Sequence, residues 1–325
     1  MTELTYREAV NRALAEELAR DELVILFGED VGAAGGVFQA TAGLYERFGE
    51  RRVRDTPIAE QAIVGCALGA AVAGLRPVAE VMFADFAGVC HDQIANQLAK
   101  YRYMSGGQAA VPVTVRMANG GGVGFGAQHS QTVENWFLNV PGLKICVPGT
   151  PADAYGLLKA AIRDDNPVLF FEHKRLYAER GQVPDGEQVV ELGRADIVRA
   201  GSDVTVVATQ LMRQRVLEAA DVLAAEGVEV ELIDPRTLVP LDLTSICESV
   251  GKTGRLVCVQ ECPRNGSWGA SVAAAVVEAA WESLDARPRF VSGDETPIPY
   301  AAPLEDAWLP STARILETLR RVLTD

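Results

Sequence analysis

The chain has 325 residues, too long for one comfortable core, so two domains are expected. Hydrophobic residues make up 48% and charged residues 23%, the composition of a globular enzyme rather than of a disordered or fibrous chain. A formal net charge of -14 repels phosphate backbones and argues against nucleic acid as a partner.

Thr5 and Glu8 form a capping box ahead of an amphipathic run to about Arg20, predicting a first helix. Leu23 to Phe27 is a short apolar run consistent with a buried strand, ended by Gly28-Glu29-Asp30. A loop with Gly32, Gly35 and Gly36 follows. A second helix is predicted from near Glu60 through the small residues Ala67 to Gly74. Pro77 to Phe83 reads as a strand, His91 to Tyr103 as a helix and Val111 to Met117 as a strand. Asn119 to Gly126 is too rich in glycine for regular structure and is a loop. Leu143 to Val147 is a strand. Thr150, Pro151 and Asp153 open a helix with an N-cap, a proline at its first position and an acid at its third. Val168 to Glu172 is another strand. This alternation predicts an α/β fold with a parallel, helix-covered sheet.

From Lys174 to about Arg194 the chain turns polar, with Gly181, Pro184, Asp185 and Gly186, and reads as a linker. A second alternation then begins. Strands are predicted at Val204 to Ala208, Val228 to Ile233, Leu256 to Gln260 and near Phe290. Helices are predicted up to Glu226, from Asp242 to Val250, from Ser271 to Trp281 and from Thr312 to Leu323. The expectation is a second, smaller doubly wound domain.

The six cysteines form no C-x-x-C pair, and most lie in apolar runs. This predicts reduced, buried thiols in a cytosol-like compartment. The start of the chain has neither a basic n-region nor an apolar h-region, so no secretory signal is expected. The longest apolar stretch, around Ala67 to Leu75, is broken by Gly69 and Gly74 and is too short to span a bilayer. No dinucleotide fingerprint, Walker loop, HExxH motif or G-x-S-x-G elbow is present. The run Gly120 to Gly126 looks like a phosphate cradle but lacks the lysine and the helix start that one needs.

Composition and pattern stop at a two-domain α/β enzyme or enzyme subunit. Six further pieces carry the reading on: Gly28-Glu-Asp-Val31, Asp55-Thr-Pro-Ile-Ala-Glu60-Gln61, Phe83-Ala-Asp-Phe86, Asp92-Gln93, Gln128-His129-Ser-Gln131 and Asp234-Pro-Arg-Thr-Leu-Val-Pro240. In order and spacing they resemble the beta subunits of thiamine-diphosphate-dependent 2-oxoacid dehydrogenases, of the transketolase-like group, over essentially the whole chain. The resemblance implies a pyrimidine-binding domain over residues 1-180, a linker over 181-194 and a C-terminal α/β domain over 195-325. That last domain would serve dimerisation and acyltransferase docking.

The resemblance gives Glu60 the main role, a hydrogen bond to the ring nitrogen of the cofactor's aminopyrimidine that favours its imino tautomer. Such a role needs a proton-sharing carboxyl in a dry pocket. The alternative for Glu60 is a helix-N-terminal acid stabilised by the dipole. Phe86 would contact the aminopyrimidine face, the alternative being a plain core phenylalanine. Glu29 would line the same pocket, the alternative being a solvated turn acid. His129, which follows the glycine loop, would act near the lipoyl entrance as a proton donor or transition-state stabiliser in reductive acylation. His91 and His173 have no comparable context and read as structural. Ala161 to Pro167 resembles the segment that holds a potassium ion in such chains. The carbonyls of Ala161, Ile162 and Asp164 would be ligands, with Asn166 and the strand near Val113; a helix end and turn without an ion is the alternative.

Thiamine enzymes hold the diphosphate through magnesium at a G-D-G motif followed by an asparagine, and no G-D-G occurs in this chain. The resemblance therefore implies an alpha subunit that supplies magnesium and the diphosphate half, in an alpha2beta2 heterotetramer. It also implies a dihydrolipoyl acyltransferase core as partner and a cytoplasmic location. The expected activity is that of an oxidoreductase acting on an oxo group with a disulfide acceptor. Ala79 to Phe86 and Tyr101 to Gly107 look closest to acetoin- and pyruvate-type chains, and Gly35-Gly-Val-Phe also resembles branched-chain ones, so pyruvate or acetoin is expected ahead of a branched-chain 2-oxoacid. A split transketolase, a deoxyxylulose-phosphate synthase half and a non-catalytic scaffold are the competing readings. Gly126-Ala-Gln-His129-Ser-Gln departs from the pattern of the first two, and retention of Glu60, Phe86 and His129 argues against the third.

Overall fold

The computed structural model describes residues 1–324, which divide into two compact units. The first comprises Met1–Asn119 and Trp136–Leu192; the second comprises Gly120–Asn135 and the chain from Gly193 onward.

The first unit holds β1 (Thr2–Thr5), α1 (Tyr6–Arg20), β2 (Val24–Gly28), α2 (Leu44–Phe48), β3 (Val53–Asp55), α3 (Glu60–Val72), β4 (Arg76–Val81), α4 (Ala99–Met104), β5 (Thr114–Asn119), β6 (Lys144–Cys146), α5 (Pro151–Arg163), β7 (Val168–His173) and β8 (Arg180–Val183). Its main sheet runs β6-β7-β5-β4-β2-β3, with parallel neighbours throughout. β5 and β7 are buried at every position, as strands covered on both faces must be. The capping box forms as read: Glu8 N–H donates to Thr5 Oγ1 at 3.3 Å and Thr5 N–H to Glu8 Oε2 at 2.7 Å. Thr150 caps α5 by accepting from Asp153 N–H at 3.1 Å.

The second unit holds β9 (Asp196–Arg199), β10 (Val204–Ala208), α6 (Gln210–Ala225), β11 (Val230–Asp234), β12 (Thr237–Val239), α7 (Leu243–Thr253), β13 (Leu256–Pro263), α8 (Trp268–Ala280), β14 (Arg289–Gly293), α9 (Ala302–Trp308) and α10 (Thr312–Val322). Its sheet runs β14-β13-β10-β11-β9, parallel except for β9 against β11. Asp242 caps α7 as expected, accepting from Ser245 N–H at 3.1 Å.

Three local features add detail to these expectations. The stretch expected as linker, 181–194, is partly strand: β8 pairs antiparallel with β1, so its backbone groups are satisfied by the first residues of the chain. The glycine loop and the residues up to Asn135, within the expected span 1-180, make their contacts in the second unit, where side chains of β13 and α9 hold their amides. The helix expected from His91 to Tyr103 forms, with a π-helical stretch at Gln93–Leu98 running into α4. Lys100 Nζ reaches back to the Ala95 carbonyl at 2.6 Å, capturing an oxygen that the widened turn frees.

All six cysteines are free thiols. Cys90, Cys146, Cys258 and Cys262 are buried, whereas Cys66 on α3 is exposed. Burial pushes the buried thiols up, to about 12 for Cys258. Among the described residues no helix is long and apolar enough to cross a membrane.

Candidate active site

The carboxyl ends of β2 and β3 build the first cluster, at the edge of a parallel sheet where ligands of such folds gather. Gly28 ends β2 so close to β4 that a Cβ there would lie 2.7 Å from the Glu80 carbonyl oxygen, which only glycine allows. Thr56 N–H donates to the Gly28 carbonyl at 2.9 Å, and Gly32 N–H to Asp55 Oδ1 at 2.6 Å. These bonds fix the turn that delivers Glu60 as the first residue of α3.

Glu60 is 9% exposed. Partial burial raises the Glu29 carboxyl above the usual range, and the negative charges of Glu60 and Asp30 raise it further. Burial, reinforced by Glu60, pushes the Cys90 thiol up to about 12, and that thiol points to the Phe86 carbonyl at 3.6 Å. Glu29, Glu60, Cys90 and the turn bearing Phe86 therefore share one neighbourhood. The raised Glu29 carboxyl thus stands beside Glu60 in this neighbourhood.

Phe86 is half-buried and meets Phe83 edge-on, with ring centroids 5.5 Å apart. Phe83 meets Phe38 at 5.7 Å, and Phe38 stacks on Tyr177 at 5.0 Å. The Tyr177 hydroxyl donates to Glu172 Oε2 at 2.8 Å. Behind it, Arg116 donates to both Glu172 oxygens at 2.6 and 2.8 Å and to Glu80 Oε2 at 2.5 Å. Burial raises the Glu80 carboxyl, and Arg116 opposes that rise. Arg116 is 2% exposed, so this triad stands in for apolar packing at the sheet centre and holds the floor beneath the aromatic row. The sequence reading missed it. Its only signal is a charged residue interrupting each of three apolar strands.

His129 stands in the second unit, half-buried, with its amide donating to the Gly126 carbonyl at 3.3 Å. Gly120 N–H donates to the Gln131 carbonyl at 3.2 Å and closes the base of its loop. The two other histidines have structural settings. His91 stacks on Phe137 at 5.2 Å, and the buried His173 accepts Arg175 N–H at Nδ1 at 3.2 Å.

The segment expected to hold potassium is ordered by cationic side chains. Arg76 Nη1 donates to the Ile162 and Asp164 carbonyls at 3.1 and 3.2 Å, so these two oxygens converge on one point. Arg102 donates to Asn166 Oδ1 at 2.7 Å. The Ala161 carbonyl accepts Asp164 N–H at 3.3 Å and the Val113 carbonyl accepts Val168 N–H at 2.9 Å. All five expected ligand oxygens therefore already accept hydrogen bonds, three of them from guanidinium groups. Among the described residues no group of three or more His, Cys, Asp or Glu side chains is placed to hold a metal ion.

Two family models cover the chain: the transketolase pyrimidine binding domain over residues 2–180 and the transketolase C-terminal domain over residues 193–315. The chain is 47% identical to the beta subunit of acetoin:2,6-dichlorophenolindophenol oxidoreductase from Cupriavidus necator, across 98% of this chain and 97% of that one. It belongs to the transketolase-like beta subunits of the 2-oxoacid and acetoin dehydrogenases. Identity is 45% to the 2-oxoisovalerate dehydrogenase beta subunit of Bacillus subtilis, across 99% of both chains. It is 44% to the pyruvate dehydrogenase E1 component beta subunit of the same organism, again across 99% of both. A solved split-gene transketolase, described as an inactive beta4 tetramer, superimposes with a TM-score of 0.81 at 25% identity, over 99% of this chain and 98% of that one. The transketolase reading thus shares the fold, and the beta subunits share far more of the sequence. Within this family, Glu29, Glu60, Phe86 and Cys90 all fall in the pyrimidine binding domain.

Proposed function

We propose that this chain supplies the pyrimidine half of a thiamine diphosphate site, and that it turns over only with an alpha subunit in an alpha2beta2 heterotetramer. The observation that carries the reading is the pairing of Glu60 with Glu29 at the head of α3, in a chain without the G-D-G motif. Thiamine diphosphate, when bound, supplies the electron sink for cleaving the bond next to the oxo carbon. Magnesium and the diphosphate are assigned to the alpha chain.

Glu60, 9% exposed at the head of α3, would hold the ring nitrogen of the aminopyrimidine through a hydrogen bond. Glu29 keeps a second carboxyl close by, raised by burial and by the charges of Glu60 and Asp30. Phe86 offers a ring to the heterocycle face. His129 serves the later step, protonating or stabilising charge as the acyl group passes to a lipoyl disulfide on a dihydrolipoyl acyltransferase core. The class is therefore an oxidoreductase acting on an oxo group with a disulfide acceptor. The substrate is a small 2-oxoacid or acetoin, with pyruvate or acetoin ahead of a branched-chain acid.

An alpha partner would cover apolar side chains left exposed on the first unit, among them Ile58 at 75%, Tyr103 at 90% and Met104 at 62%. Potassium would be held by the carbonyls of Val113, Ala161, Ile162 and Asp164 with Asn166 and would stiffen the α5–β7 turn. Reduced thiols fit a cytoplasmic location.

Calorimetric titration of the purified chain with thiamine diphosphate and magnesium tests the half-site. No measurable binding alone, and binding after addition of the alpha chain, is the expected result. Tight one-to-one binding by the chain alone sinks the reading. A panel of pyruvate, branched-chain 2-oxoacids and acetoin with an artificial electron acceptor then assigns the substrate.

A further inference from the structure

The glycine loop is an anion nest whose anion is built into the protein. Gly120, Gly122, Gly124 and Gly126 all have positive φ, between 74 and 84°. Alternation of left-handed with other residues turns successive amides towards one side of a loop. Three of these amides meet carboxylates: Gly121 N–H donates to Glu261 Oε1 at 2.5 Å, Gly122 N–H to Glu305 Oε1 at 2.8 Å and Gly124 N–H to Glu305 Oε2 at 2.9 Å. Glu305 and Glu261 are 2% and 6% exposed. A cradle filled in this way has no place for a phosphate.

We propose that Glu305 and Glu261 are positioning residues, which clamp the glycine loop and through it set the place of His129 in acyl transfer. The proposal rests on the reading of His129 given above. Glu305 spends both oxygens on the loop, and its helix α9 is itself fixed. Trp308 Nε1 donates to the Thr296 carbonyl at 2.9 Å, and Trp308 packs in a buried cluster with Ile298 and Leu309. The loop lies directly on this base, since a Cβ at Gly121 would sit 3.4 Å from Glu305 Oε1 and 3.5 Å from both Glu261 Oε1 and Leu309. The segment is locally free by composition, yet it is tied at three successive points to a rigid helix and a central strand. His129 follows Gly126 with one backbone bond between them. Displacing the clamp therefore displaces the imidazole.

Glu305→Gln keeps the side-chain volume but replaces one acceptor with a donor, so one loop amide faces an N–H. Two measurements test the clamp. Amide hydrogen exchange over residues 119–131 in the full chain is expected to speed up at least tenfold in E305Q, with unchanged protection in α6. In the complex with the alpha chain, E305Q is expected to lower transfer to a lipoylated acceptor at least fivefold more than it lowers turnover with an artificial acceptor, as His129→Ala does. Unchanged exchange overturns the clamp. Faster exchange with both rates falling together, while H129A still separates them, overturns the link to His129. If H129A itself does not separate the two rates, the assignment of His129 fails, and the exchange data decide the clamp alone. Glu261→Gln, which disturbs the bond to Gly121 N–H, provides the same readings should E305Q fold poorly.

Discussion

Carboxylates are used in opposite ways in the two units. In the first unit, Glu29 follows the end of a strand and is raised first by burial and then by the charges of Glu60, at the head of a helix, and of Asp30. In the second, Glu305 and Glu261 accept backbone amides of a loop that has no regular structure of its own. Like charges forced together favour a held proton, whereas N–H groups turned towards a carboxylate favour the fixed charge. One arrangement makes a reactive group and the other a clasp. The same residue type therefore says little until its partners are known.

The contrast can be broken at four places. Glu60→Gln removes the proton-sharing carboxyl and is expected to cost about 10²- to 10⁴-fold in turnover with an artificial acceptor, the range for a positioned acid or base. Activity at the native level would make the chain a scaffold. Arg116→Met is expected to destabilise the first unit by about 3 to 5 kcal/mol in denaturant unfolding, because Glu80 and Glu172 lose their shared cation. A native-like midpoint would show that the two acids find another partner. His129→Ala is expected to slow lipoyl acylation by about 10²-fold, with a smaller loss in turnover with the artificial acceptor. Equal losses would remove its special role.

The smallest effect tests Glu29 itself. Its folded-state value is raised, so the folded chain binds more protons there than the unfolded chain, and stability falls as pH rises through the carboxylate range. Glu29→Gln should therefore stabilise the chain at pH 7, by about 0.5 kcal/mol or less. That gain should vanish once the pH is below the ordinary carboxylate value. Thermal melts at the two pH values check both sign and window, and a gain present only in acid contradicts the crowding of Glu29 by Glu60.

Legibility followed the range of the interactions. The capping box at Thr5 and the Thr150-Pro151-Asp153 helix start were readable because each rests on residues within one turn. β5 and β7 were readable because strands buried on both faces are continuous apolar runs. Short, polar β1 and β8 were not, since neither carries a pattern until the other lies beside it. The π-helical turn at Gln93 left no mark in a run that is helical by composition. The family resemblance pointed to Glu29, Glu60, Phe86 and His129. The Arg116 triad requires the strand order, and the clasp on the glycine loop joins residues 140 and more positions apart. Neither distance nor order is written in local spacing.

The uneven shielding of the thiols has a practical consequence. Cys66 lies exposed on α3, between Glu60 and the apolar end of that helix at Val72, while four of its five counterparts are sealed in the core. A maleimide dye or spin label therefore lands first on one face of α3 without mutagenesis, ahead of the half-buried Cys247 on α7. The chain carries its own reporter on that helix. Whatever covers α3 writes its arrival into the reactivity of Cys66.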